Sequence, residues 1–188
     1  MDLKLKNQLI EKMNKKGEIK MDFIELSKQR RSIRKFTEQE IKDEIIEQLL
    51  ICAMAAPSAR NMQPWEFYVI KNKEIQNQIK NSFKNYDFNS TLTIVVCGNK
   101  ERTLTQNDND FWIQDCSAAV ENILLAATSL GLGAVWCGAF PVIERSEKVR
   151  TIINVEENIV PMAVIQLGYP NEDKEDRTQY NKEYVHYL

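Results

Sequence analysis

The chain has 188 residues, a formal net charge of −2 and 43% apolar residues, a size and composition typical of one globular domain with its own core. The slightly acidic charge gives no electrostatic reason to bind nucleic acid, and no apolar run is long enough to span a bilayer. We therefore expect a domain that binds neither nucleic acid nor membrane.

The cysteines and the single histidine argue against a metal site. Cys52, Cys97, Cys116 and Cys137 form no CxxC pair, and His186 is distant from all of them in sequence; this spacing predicts no zinc or iron–sulfur site. Because no apolar h-region follows the N-terminal lysines, we expect reduced thiols and a cytoplasmic protein. With so few nucleophile–base pairs available, an enzyme of this sequence would rely on a cofactor.

The first elements in chain order are a leader and two helices. Residues 1–20 are lysine-rich and polar, and we expect a peripheral leader ahead of a domain over 21–188 that starts naturally at Met21. The sequence Asp22–Glu25 resembles a capping box and predicts a helix to about Arg30. Thr37–Glu40 is a better capping box, and the apolar spacing after it predicts a second helix that ends at Pro57.

The rest of the chain alternates short apolar strands with helices. The predicted strands are Phe67–Ile70, Thr93–Cys97 and Pro161–Gly168, and Gly133–Phe140 is predicted as a strand or an extended arm. The predicted helices are Lys73–Phe83, Trp112–Leu130 and Glu144–Ile153, and the polar stretch Glu101–Asp110 reads as a mobile loop. This pattern predicts a three-layer α+β or α/β domain.

A basic segment, Arg30–Lys35, links the first two helices and holds four cations and a serine. One interpretation is a solvated turn at a helix C-terminus, where cations are favourable. The other is an anion site, because guanidinium groups and a hydroxyl match the donors that a phosphate needs. The residues alone leave both open.

The connection "APSARNMQPW", Ala56–Trp65, combines rigid prolines, hydrogen-bonding side chains and a large aromatic residue. It reads either as a well-packed turn with Trp65 in the core, or as the wall of a site for a flat ligand with polar edges. Further on, the glycines of Gly131–Gly138 indicate close backbone approach. They follow a predicted helix and do not form the GxGxxG of a dinucleotide fold.

Four motifs together resemble the FMN-dependent nitroreductase family, in order and spacing, from about Met21 to the C-terminus. They are Arg30-Arg31-Ser32-Ile33-Arg34-Lys35-Phe36, Ala56-Pro57-Ser58 with Asn61 and Gln63-Pro64-Trp65, Gly131-Leu132-Gly133-Ala134-Val135-Trp136, and Gly168-Tyr169-Pro170 with Arg177 and Val185-His186-Tyr187. The resemblance implies an α+β, three-layer α/β/α sandwich of the nitroreductase type, with a mostly antiparallel central sheet. It also implies a domain-swapped homodimer with FMN at the subunit interface.

The resemblance also implies which residues bind the cofactor. The phosphate and ribityl chain would be held by Arg30, Arg31, Ser32 and Arg177, and the pyrimidine edge by Arg34. Backbone of Trp136, Cys137 and Gly138 would approach the ring, and Pro57, Ser58, Ala59, Asn61 and Gln63 would wall it from the partner subunit. Ala59 stands where many members have a second serine, and Arg177 where members often have two cations.

The implied activity is hydride transfer from NADH or NADPH through FMN to a small-molecule acceptor such as a nitroaromatic or a quinone, with no catalytic side chain assigned. The alternatives are a non-catalytic FMN store or redox sensor, and another flavin reaction on the same fold, such as dehalogenation, ene reduction or flavin cleavage. A structural domain without ligand is a third possibility.

Overall fold

A computed structural model describes residues 22–83, 88–106 and 109–188. The predicted leader and Met21 lie outside these residues. Within them the chain forms five α-helices: α1 (Phe23–Gln29), α2 (Asp43–Met54), α3 (Lys73–Asn81), α4 (Trp112–Ser129) and α5 (Ile143–Ile153). Each predicted helix is present, with ends shifted by a few residues.

The strands form one main sheet. They are β1 (Trp65–Ile70), β2 (Leu92–Asn99), β5 (Gly133–Gly138) and β6 (Ile159–Gly168), in the order β1-β2-β6-β5 with every pair antiparallel. The stretch predicted as a loop carries a 3₁₀ turn and a two-residue hairpin, β3 (Thr105–Gln106) with β4 (Asn109–Asp110). The predicted antiparallel sheet is confirmed.

Helices cover both faces of this sheet. On one face, α2 and α4 pack on alternate strand residues such as Ile94 and Ile165, and on the other α3 and α5 pack on Val95 and Val164. This alternation follows from the period of two along a strand. The three-layer α+β prediction is therefore confirmed, and α4 is the most deeply buried helix, as its apolar composition predicts.

The prediction that a capping box at Thr37–Glu40 starts the second helix is wrong. Helix α2 begins only at Asp43, and its N-cap makes no side-chain hydrogen bond. Instead, Phe36 forms an antiparallel bridge with Pro170, just after β6, and its ring is fully buried. The Thr37 N–H also donates to the Tyr169 carbonyl over 2.8 Å, so contacts with a distant part of the chain override the local helix-start signal.

Gly98 offers a test of the packing between the sheet and α4. A methyl group added there would overlap the indole of Trp112, which stacks edge-on against Phe140 with ring centroids 5.0 Å apart. We expect Gly98→Ala to lower the free energy of unfolding by about 1–3 kcal/mol. In Gly138→Ala, the matched control, the new methyl meets only the Phe140 carbonyl at 3.9 Å. Denaturant unfolding with equal losses in the two variants would contradict this packing.

Within the described ranges, no helix combines the length and apolar character needed to cross a bilayer.

Candidate functional site

The basic segment lies along the outer edge of β5. Ser32 forms a parallel bridge with Ala134, and the Ile33 N–H donates to the Ala134 carbonyl over 3.0 Å. Gly133 permits this approach, because a Cβ there would lie 2.6 Å from the Ile33 side chain. The structure thus brings together two of the four sequence motifs, the basic segment and the glycine-rich strand.

The C-terminal tail adds further cations to the basic segment. The Arg31 guanidinium donates to the Glu175 carbonyl, Lys174 Nζ donates to the Ser32 carbonyl over 2.6 Å, and the Arg177 N–H donates to the Lys28 carbonyl over 3.0 Å. Sequence reasoning found Arg177 and missed Lys174, because nothing in a charged tail distinguishes one lysine from its neighbours. The contact with Ser32 identifies it.

A tail carboxylate fixes the backbone of the basic segment. Glu172 Oε1 accepts hydrogen bonds from the N–H groups of Arg34 and Lys35, and lies 3.3 Å from Lys174 Nζ. Burial raises the pKa of Glu172, but the hydrogen bonds from Arg34, Lys174 and Lys35 together lower it by more than burial raises it. The pKa of Glu172 therefore lies below its ordinary value of 4.5. The tail is therefore attached to the segment by an ionised carboxylate.

This attachment predicts an acid-dependent stability. Because the folded-state pKa of Glu172 is depressed, its contribution is present above the unfolded pKa of 4.5 and is lost as the pH falls through the folded value. We expect wild type to be more stable than Glu172→Gln near neutral pH, and the gap to close on acidification. A gap in the free energy of unfolding that stays constant between neutral and acidic pH would contradict the assignment.

The other end of the segment is fixed by Asn89. Its side-chain amide donates to the Phe36 carbonyl over 2.6 Å and accepts from the Phe36 N–H over 3.0 Å. These two bonds fix the backbone of Phe36, the residue that follows Arg34 and Lys35, to the chain segment before β2. The sequence gives no signal for this contact across 53 positions.

Arg30 and Arg31 carry the charge that could meet an anion. Arg30 Nε lies 3.4 Å from Glu121 Oε1 on α4; burial raises the pKa of Glu121, and the charge of Arg30 partly offsets this. Arg31 Nε is buried and donates no hydrogen bond within the described part of the chain. An unpaired buried guanidinium donor is costly, so this atom fits a site whose acceptor is an anionic ligand such as a phosphate.

The connection between α2 and β1 forms a turn with an unusual backbone. It holds a 3₁₀ turn over Ala59–Asn61, and Arg60, Asn61 and Gln63 have φ angles of 50°, 57° and 50°. The side chains of Pro57, Asn61 and Gln63 are exposed, and those of Ser58 and Ala59 are half-buried. Trp65 is buried in the core, as expected if the connection is a well-packed turn.

This turn and the basic segment lie at opposite edges of the sheet. The turn leads into β1, whereas Ser32 borders β5. Three inter-strand spacings of about 4.8 Å separate these edge strands by roughly 14 Å. Among the described residues, no hydrogen bond or ion pair joins 57–63 to 30–34. The structure therefore does not bring these two groups of predicted site residues together within one chain.

The end of β5 lies close to the cations of the basic segment. Trp136 is 36% exposed, so it is not a core residue, whereas Cys137 is buried. Burial raises the pKa of the Cys137 thiol to about 12, with small opposing effects of Arg34 and Arg145. Arg145 also donates to the Gly138 carbonyl over 2.7 Å. A protonated thiol offers no nucleophile near neutral pH.

Comparisons with known proteins agree with this geometry. The sequence model of the nitroreductase family matches residues 27–86 and 86–169. A protein of Archaeoglobus fulgidus named as a candidate NADH dehydrogenase/NAD(P)H nitroreductase is 43% identical over 162 residues, which cover 84% of this chain and 92% of the relative.

Solved structures give the same result. An FMN-dependent nitroreductase of Clostridium difficile superposes with a TM-score of 0.79 at 30% identity, covering 88% of this chain and 98% of that one. A candidate nitroreductase of Desulfovibrio desulfuricans in complex with FMN gives 0.77 at 25% identity, covering 90% and 98%. Since the family match runs from just before the basic segment to the residue after β6, this chain belongs to the nitroreductase family.

Proposed function

We propose that the protein is an FMN-dependent oxidoreductase that passes a hydride from NADH or NADPH to a small acceptor such as a nitroaromatic or a quinone. The observation that carries the proposal is the unpaired, buried Nε of Arg31. It lies in a segment that Ser32 joins to β5, and the tail places Lys174 against Ser32 and Arg177 against Lys28, just before the segment. The names of the relatives support the choice of cofactor and reductant.

In this proposal the residues divide into three groups. Arg30, Arg31, Ser32 and Arg177, joined by Lys174, hold the FMN phosphate and ribityl chain, and Arg34 faces the pyrimidine edge. The backbone of Trp136, Cys137 and Gly138 lines the ring. The turn residues Pro57, Ser58, Ala59, Asn61 and Gln63 cover it from a second copy of the chain.

The homodimer in this proposal is supported by two features. The turn and the basic segment occupy opposite sheet edges, so a second copy is needed to bring them to one ligand. Exposed apolar side chains lie around the turn: Ile51 and Met54 of α2, Met62 of the turn itself, and Ile113 of α4. Exposed apolar surface of this kind marks protein interfaces when it is contiguous.

Bound FMN would supply the redox chemistry, as acceptor of the hydride and donor to the final acceptor. The side chains of this chain bind and orient it. The guanidinium of Arg34 would stabilise the negative charge that develops at the pyrimidine edge on reduction. Protons come from solvent, and the proposal requires no protein nucleophile.

An absorbance scan of the purified protein tests the proposal. We expect a yellow protein with flavin bands that bleach on anaerobic addition of NADH or NADPH and return when a quinone or a nitroaromatic is added. Flavin that binds but neither bleaches nor reoxidises would instead indicate a store or sensor. A chain that takes up no FMN would contradict the proposal.

A further inference from the structure

Asp115 is a buried carboxylate on the most apolar helix of the protein. It is 5% exposed and lies in α4 among Trp112, Cys116 and Ala119, all of them core residues. Burying a carboxylate in such surroundings is costly unless its oxygens are hydrogen-bonded. Oδ1 accepts from the Ala59 N–H over 2.9 Å, but Oδ2 is buried and accepts no hydrogen bond from any residue that the structure describes.

The bond to Ala59 ends on the strained turn between α2 and β1. Positive φ angles at Arg60, Asn61 and Gln63 are unfavourable for residues with a Cβ and persist only where the surroundings hold them. Two bonds inside the turn, Gln63 N–H to Ser58 Oγ and Gln63 Nε2 to Asn61 Oδ1, are both 3.0 Å long. In the described part of the chain, the Asp115 bond alone ties residues 58–63 to another element by a hydrogen bond.

We propose that Asp115 is a positioning residue that holds the Ser58–Gln63 turn in the shape required to cover FMN, without touching the cofactor itself. The inference rests on the proposed function. A side chain that served stability alone would be apolar at this place or would have both oxygens satisfied. The half-satisfied carboxylate is explained by the strained turn that it holds.

Two substitutions at Asp115 and one control test the proposal. Asp115→Ala removes the acceptor, and Asp115→Asn keeps a weaker, neutral one of the same shape. The control, Asn122→Ala, removes a bond of the same 2.9 Å length from α4 to the Cys52 carbonyl of α2, which is not part of the turn. The readouts are FMN affinity, from quenching of flavin fluorescence, and hydrogen exchange of the 57–64 backbone in the flavin-free protein.

We expect FMN affinity to fall about tenfold in Asp115→Ala and several-fold in Asp115→Asn, since a hydrogen bond to a charged group is lost or weakened. Exchange of the Ala59 amide should rise in the same order. Asn122→Ala should change neither readout. Asp115→Asn should unfold at the same denaturant concentration as wild type or a higher one, because it removes a buried charge. A purely structural role would instead lower stability and FMN affinity together.

The inference is overturned if Asp115→Asn shows unchanged Ala59 exchange and unchanged FMN affinity, a result that stands even if Asp115→Ala does not fold. It is also overturned if Asn122→Ala weakens FMN binding as much as Asp115→Ala. Failure of the proposed function is recognised separately, because wild type would then bind no FMN while the exchange measurement would still report on the turn.

Discussion

Arg30→Ala is expected to weaken FMN binding by about ten- to a hundred-fold. If Arg30 contacts the phosphate, its loss removes a charge-assisted hydrogen bond worth roughly 1.5–3 kcal/mol. Riboflavin has no phosphate, so its affinity should change much less. Titration of the flavin-free protein with both ligands measures the difference.

The chain offers a closely matched control. Arg150 pairs with Glu147 on α5, with side-chain exposures of 24% and 50%, compared with 24% and 47% for Arg30 and Glu121. Each alanine variant should lose at most about 1 kcal/mol of stability, as partly exposed ion pairs do. Arg150→Ala should leave FMN affinity unchanged. Equal FMN affinity in wild type and Arg30→Ala would mean that the basic segment is a solvated turn.

Arg34→Ala is expected to behave differently, keeping FMN but lowering its reduction potential by about 30–65 mV. This range corresponds to a charge-assisted contact of roughly 1.5–3 kcal/mol present only in the reduced state, for a two-electron couple. Arg34 donates to the Ser32 carbonyl over 3.4 Å, and its charge opposes the rise that burial causes in the pKa of the Cys137 thiol in β5. In the proposed site it is therefore a cation of the basic segment near the end of β5.

The neighbouring exposed cation, Lys35, provides the control for Arg34. Its N–H shares the Glu172 carboxylate with that of Arg34, so Lys35→Ala changes the charge of the segment by the same amount while leaving this backbone contact in place. We expect a potential within about 10 mV of wild type for Lys35→Ala, as expected for a screened surface charge. A potential that falls equally in both variants would show a general charge effect, and no specific role for Arg34.

Apolar patterns in the sequence were sufficient to predict the sheet and the helices. The periods of two and of 3.6 report which face of an element is buried, and burial is what stabilises these elements. The start of α2 was mispredicted because its signal, Thr37–Glu40, is local, whereas the bridge from Phe36 to Pro170 joins positions far apart in sequence. A local pattern contains no information about such pairing.

The candidate site was predicted only in part, for a related reason. The basic segment, Arg177 and the end of β5 were found as motifs, and the structure brings them together. Lys174, Asn89 and Asp115 were missed, because each acts through a hydrogen bond to a backbone group more than 50 positions away. In the sequence these residues resemble any surface lysine, loop asparagine or helix aspartate.

The central claim is that one FMN site takes its basic segment from one chain and its turn from another. Subunit complementation tests it most directly, with Arg30→Ala and Asn61→Ala as two variants that each impair both sites of their own homodimer. In the mixed dimer, one site receives both substitutions and the other receives neither. After dissociation and random reassociation, we expect about a quarter of all sites to bind FMN with wild-type affinity, as two-fold symmetry requires. A mixture with no wild-type sites would contradict the account, because a site built within one chain cannot be restored by exchange of subunits.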